Sequence, residues 1–258
     1  MKLKSAVAIT LLFLISISAS AAHAGNVKMI FWYPGEAGST AEAAPVLDAF
    51  FKYVGGKMTP DAVTGKYFNV VPDGVTYIKR EQPAVGIVSY AAWVQNRDKI
   101  SGADVILSTI PLPGGASTER YALVGRDGKP AAGWQILSSE PLGVAFVRGE
   151  LFPDLPASAN IQATAQLIAK LKDIGEGKLN ATAILTPTEA ATLAKLSAPW
   201  AKALKVITES KPVPTARVVL FDQGWKGAAK FKAALVASGS DPAARDILQE
   251  MRLKGFAE

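Results

Sequence analysis

The run Val27 to Tyr33 is β-branched and aromatic, breaks at Pro34-Gly35, and passes through Gly38-Ser39-Thr40 into an apolar pattern with helical spacing at Val46, Leu47, Phe50, Phe51 and Val54. A strand, a glycine loop and a helix therefore follow one another within a short stretch. The same alternation recurs. Tyr67–Val71 reads as a second strand closed by Pro72-Asp73-Gly74. Ala84–Tyr90 is a third, leading directly into a helix over 91–98, and Asp104–Ile110 is a fourth, stopped by Pro111-Leu112-Pro113. Strands alternating with helices predict an α/β fold, a mostly parallel sheet with helices on both faces. Pro45 places the regular start of the first helix nearer Glu42 than Ser39, and Gly55-Gly56 stops it.

From about Arg120 the pattern changes. Tyr121–Gly125 is a short strand bounded by the turn cluster Arg126–Pro130, a place for the chain to cross between lobes. A second set follows: apolar runs at Trp134–Leu137 and Val144–Val147, a helical spacing over Ile161–Leu171, and a strand at Ala181–Leu185. Thr186-Pro187-Thr188-Glu189 then has the pattern of a capping box opening a helix to about Leu196. Beyond Lys211–Pro214, Ala216–Phe221 reads as a strand, and helical patterns cover Lys226–Val236 and Pro242–Leu253, ended by Gly255.

The N-terminus carries Lys2 and Lys4, an apolar run from Ala6 to Ile17 and the triplet Ala22-His23-Ala24. This is a secretory signal pattern with cleavage expected after Ala24, so a soluble periplasmic protein is expected. The run is shorter than the roughly 20 residues a spanning helix needs. The chain has no cysteine, and its one histidine, His23, lies in the leader. Disulfides, Cys/His nucleophile pairs, Ser-His-Asp triads and thiolate or imidazole metal sites are thereby excluded downstream. No cofactor or metal is expected. Net charge is +6 with the leader included, and the charges are scattered, which mildly favours anionic ligands and does not suggest nucleic acid.

The candidate site residues follow from position. Open α/β sheets bind ligands at the C-terminal ends of their strands, which selects Tyr33, Ser89 and Tyr90. Ser39 and Thr40 offer hydroxyls at a helix start, where free N–H groups hold an oxyanion; their competing role is to cap the helix. Ser138 and Ser139 would supply the opposite lobe's contacts, or be an ordinary polar loop. Trp93 reads as core, and Arg120 and Arg126 as surface arginines beside the first crossing strand.

The order of elements resembles the type II periplasmic substrate-binding proteins that serve ABC transporters, in their phosphate/phosphonate branch. Gly38-Ser39-Thr40 leading to the Pro45-Val46-Leu47 helix, the Val85–Tyr90 strand, and the C-terminal stretches Val206–Ser210, Pro212–Pro214 and Ile247–Phe256 carry the likeness. The resemblance implies two lobes, 25–113 with 217–258 and 114–216, joined by hinges near Pro113–Tyr121 and Ser210–Arg217. It also implies a closing helix at the C-terminus and a monomer that hands a phosphate- or phosphonate-like ligand to a membrane permease. Glu140, following Ser138-Ser139, departs from that branch, because a carboxylate there repels an anion. The alternatives are a sensory binding protein reporting to a membrane receptor and an enzyme built on carboxylates such as Glu36, Glu140 or Asp222.

Overall fold

The computed structural model describes residues 25–36, 38–100 and 102–258, so the leader expected at residues 1–24 lies outside the described residues. The chain opens with β1 (Asn26–Trp32), whose Met29, Ile30, Phe31 and Trp32 are all buried, as a strand covered on both faces requires. α1 (Thr40–Met58) begins at a complete capping box: the Glu42 N–H donates to Ser39 Oγ at 3.3 Å and the Ser39 N–H to Glu42 Oε2 at 2.7 Å. The helix starts at Thr40, runs past Pro45 and does not stop at Gly55-Gly56. Leu47, Phe50, Phe51, Val54 and Met58 bury one face along its whole length, and this packing outweighs the hydrogen bond lost at proline.

β2 (Ala62–Phe68) is followed by α2 (Val71–Glu81) where the sequence suggested a turn. Pro72 sits in the first helical turn, where its missing N–H costs nothing, and Gly74 lies flat against the Trp32 indole. β3 (Val85–Val88), α3 (Tyr90–Asn96) and β4 (Asp104–Pro111) complete the first pass. The chain then crosses through β5 (Thr118–Glu119) into β6 (Ala122–Arg126) and β7 (Gln135–Ser138). The apolar run at Val144 forms a short helix, α4 (Val144–Phe146), continued by a π turn over Val147–Leu151.

The stretch 161–171 is not one helix. It divides into β8 (Asn160–Ala163), paired with β7 through Ile136 and Ile161, and α5 (Leu167–Gly175). The true buried face of α5 is Leu167, Leu171 and Ile174, while Ile168 is exposed. β9 (Thr182–Leu185) leads into α6 (Pro187–Ala194), whose Thr186–Glu189 capping box forms as the sequence reads. α7 (Pro199–Ala203) and β10 (Leu204–Glu209) precede the return through β11 (Val213–Pro214) to β12 (Arg217–Leu220), α8 (Ala228–Ser238) and α9 (Arg245–Glu250). The expected closing helix through Phe256 is instead α9 followed by β13 (Leu253–Ala257), because burial of Leu253 and Phe256 against β4 favours an edge strand.

Two sheets result, in the orders β13-β4-β12-β3-β1-β2 and β10-β6-β9-β7-β8. Each is mixed. β2, β1 and β3 are parallel, as are β8, β7 and β9; β12 inserts antiparallel between β3 and β4, and β6 between β9 and β10. The two crossing segments pair as an antiparallel ribbon, with Val213 opposite Glu119 and Pro214 opposite Thr118. Ser210 ties the ribbon's ends: its hydroxyl accepts from the Tyr121 N–H at 2.9 Å, and its carbonyl accepts from Arg120 Nη1 at 2.5 Å. Arg120 is thus a structural clasp between the crossing segments. No helix among the described residues is long and apolar enough to cross a membrane.

Candidate functional site

The C-terminal ends of β1, β3 and β4 in one lobe face those of β7 and β9 in the other. Between them lies a cavity of about 440 Å³, a size typical of small-ligand sites. The first lobe contributes Tyr33 and Glu36 from the loop after β1, Ser89 and Tyr90 from the turn after β3, and Thr109 from β4. The second contributes Glu140 from the loop after β7 and Thr186 to Thr188 at the start of α6. Glu119 and Tyr121 line it from the crossing segment, and Glu250 and Arg252 from the turn between α9 and β13.

The lobes meet around this cavity at several places, among them an apolar patch where Tyr90, Ala91 and Val94 of α3 pack with Leu142 and Phe146. Gly35, with φ +90°, lies so close to the Ser139 carbonyl and Glu140 Cα that a side chain would overlap them. Gln95 of α3 accepts from the Gly143 N–H at 2.6 Å and donates to the Pro141 carbonyl at 3.3 Å. The Tyr90 hydroxyl donates to Glu150 at 2.9 Å.

Of the residues selected from the sequence, Tyr33, Ser89 and Tyr90 meet in the cavity; Ser39, Thr40, Ser138 and Ser139 do not line it. The Ser39 hydroxyl is taken up in the α1 capping box and the Thr40 hydroxyl donates to the Tyr67 carbonyl at 2.9 Å. Ser138 is buried within the second sheet, and Ser139 presents its carbonyl to Gly35. Sequence reasoning passed over Glu119 and Tyr121, which come from the crossing segment, and Thr109, which lies within β4, rather than from strand-to-helix loops. For Glu119 and Tyr121 the nearest sequence signal was the proline- and glycine-bounded stretch around Arg120, and for Thr109 the strand pattern Asp104–Ile110.

The electrostatics are dominated by carboxyl groups. Glu140 is only 6% exposed, accepts from the Tyr121 hydroxyl at 2.8 Å, and is pushed up to about 8. Burial is the main cause, the Tyr121 bond pulls it part of the way back, and the charges of Glu119, Glu36 and Glu189 push it further up. Glu119 is raised to about 7, by burial and then by Glu36. Glu36 stays accessible from the cleft and is raised by loss of surrounding water and by Glu189, against Arg252. Tyr33 is driven well above its ordinary value by burial and by Glu36 and Glu119, and Tyr67 up to about 12 by burial and Glu36. Among the described residues, no group of three or more His, Cys, Asp and Glu side chains is arranged to hold a metal ion.

No protein-family model matches the chain, and no curated protein matches it. Solved structures do. XAC2383 from Xanthomonas citri, bound to ATP, aligns with a TM-score of 0.70 at 14% identity over 91% of each chain. A binding protein component of an ABC phosphonate transporter from Pseudomonas aeruginosa aligns at 0.65 and 11% identity, over 91% of this chain and 81% of that one. The fold is that of the type II periplasmic binding proteins. A periplasmic His/Glu/Gln/Arg/opine family-binding protein from Silicibacter pomeroyi, in complex with lysine, shares it at 0.55 and 12% identity, over 88% and 96% of the chains. At such identities the likeness establishes architecture alone. In this periplasmic-binding-protein fold the cavity occupies the crevice where the strand ends of both lobes converge.

Proposed function

We propose that this chain is the solute-binding component of an ABC importer, exported to the periplasm, which closes its two lobes on a small ligand and presents it to a membrane permease. The observation that carries this reading is the cavity itself. It is bounded by both lobes, which are joined by the β5–β11 ribbon and meet otherwise through polar contacts around its rim and an apolar patch where Tyr90, Ala91 and Val94 of α3 pack with Leu142 and Phe146. Lobes joined by two crossing segments can part and rejoin about them, re-exposing the α3 patch on opening. That the Pseudomonas and Silicibacter proteins are binding proteins supports the same reading. A small oxyanion, suggested by resemblance, fits the cavity less well, since Arg252 is the single basic side chain in its lining.

Small-angle scattering of residues 25–258 with a panel of candidate solutes tests the clamp. A ligand that raises the melting temperature by mass action and also reduces the radius of gyration supports it. Ligand-induced stabilisation with an unchanged scattering profile would contradict closure between lobes.

A further inference from the structure

We infer that the ligand is a small organic cation, a protonated amine on a short apolar frame, held by the carboxyl groups and tyrosine rings of the interlobe cavity; this rests on the solute-binding reading above. Among the described residues four carboxyl side chains, Glu36, Glu119, Glu140 and Glu250, line the cavity against one arginine and no lysine. None of the four forms an ion pair among the described residues. Among the described residues the one partner of the buried Glu140 side chain is the Tyr121 hydroxyl on Oε2, and Oε1 has none there. A carboxyl so enclosed is costly to ionise unless a cation joins it. The nearest arginine of the first sheet is committed elsewhere: Arg217 donates to the Ser108 hydroxyl and lies over the Tyr90 ring, 5.9 Å from its centre.

A second observation is independent of the carboxylates. Thr109, a residue only 2% exposed, has a hydroxyl with no protein partner among the described residues; as no buried side-chain polar atom is left unpaired among them, that oxygen is reachable from the cavity it lines. The Ser89 hydroxyl accepts from the Ala92 N–H at 3.3 Å and donates to no protein group. These hydroxyls therefore have hydrogen-bonding capacity left over for a ligand in the cavity.

Two helix starts are closed to an anion by their own carboxylates. At α1 the Ser39 N–H is already held by Glu42, and at α6 the Thr186 N–H is held by Glu189 at 2.8 Å. These two helix starts therefore carry their own carboxylate where an oxyanion would bind, whereas α3, capped by Ser89, has no acid in its first turn. Phe31, Leu47, Met251 and Leu253 supply apolar wall, and the Tyr33 and Tyr67 rings offer faces that attract a cation.

Calorimetric titration of residues 25–258 with putrescine, choline, inorganic phosphate and methylphosphonate, with scattering in parallel, tests this. Binding of either cation with compaction, and at least ~10-fold weaker cation binding by both Glu140→Gln and Glu119→Gln, is the expected result. The groups that face Glu140 are Tyr121, Glu119, Glu36 and Glu189. Arg252 is the one base in the same lining, and cation affinity should rise between pH 6 and pH 8.5 as Glu119 and Glu140 ionise. Compaction by phosphate or methylphosphonate with no response to the cations overturns the cation assignment and leaves the solute-binding reading standing. Cation binding that both variants retain at full strength overturns it as well. No binding and no compaction by any of the four removes both readings.

Discussion

Replacing Glu140 by glutamine should stabilise the protein, and increasingly so as pH rises. The carboxyl moves from an ordinary 4.5 to about 8 in the folded chain. At about 1.4 kcal/mol per pH unit, that displacement corresponds to ~5 kcal/mol. The sign follows from proton counting. Between pH 4.5 and pH 8 the folded chain holds a proton that the unfolded chain has released, so stability is fully present below the unfolded value and lost as pH climbs through the folded one. Glu119 and Glu36 share the repulsion that raises Glu140, so removing Glu140 alone should recover about 2–5 kcal/mol. Glutamine keeps the volume and an oxygen for the Tyr121 hydroxyl. Urea unfolding of both proteins at half-unit steps from pH 5 to 9 should give nearly equal stabilities at pH 5. The gap should widen up to about pH 8 and level off above it. Parallel stability curves would refute the buried-carboxyl account, and a variant less stable at every pH would mean that Glu140 is held ionised by a partner.

Gly35→Val places a side chain against the Ser139 carbonyl in a backbone conformation that favours glycine, and the clash lies between lobes rather than within one. The expected result is a larger radius of gyration and at least tenfold weaker ligand binding, with far-ultraviolet circular dichroism unchanged; undiminished affinity would show that the lobes need not meet there. Gly74→Ala, by contrast, drives a methyl into the buried Trp32 indole inside the first lobe. It should cost about 1–3 kcal/mol in urea unfolding, and a loss below 0.5 kcal/mol would show that α2 shifts freely off β1.

Local signals in the sequence determined the α/β class, most strands, the capping box at Thr186, and three residues at strand ends, Tyr33, Ser89 and Tyr90, that the folded chain brings into one cavity. Those features depend on contacts within a few residues, through alternation, helical spacing and cap chemistry. Tertiary structure decided what depends on distant partners. Ile161 became a strand residue by pairing with Ile136, and Leu253 and Phe256 an edge strand by packing on β4, against a helical spacing in both places. The same holds for the site. Ser39 spends its hydroxyl on its own helix, while Glu36, Glu119, Glu140 and Glu250, dispersed along the chain, become one acidic wall only when β12 returns between β3 and β4 and the two lobes face each other. A carboxylate's charge can be read from a sequence, but its desolvation is set by every segment that closes around it.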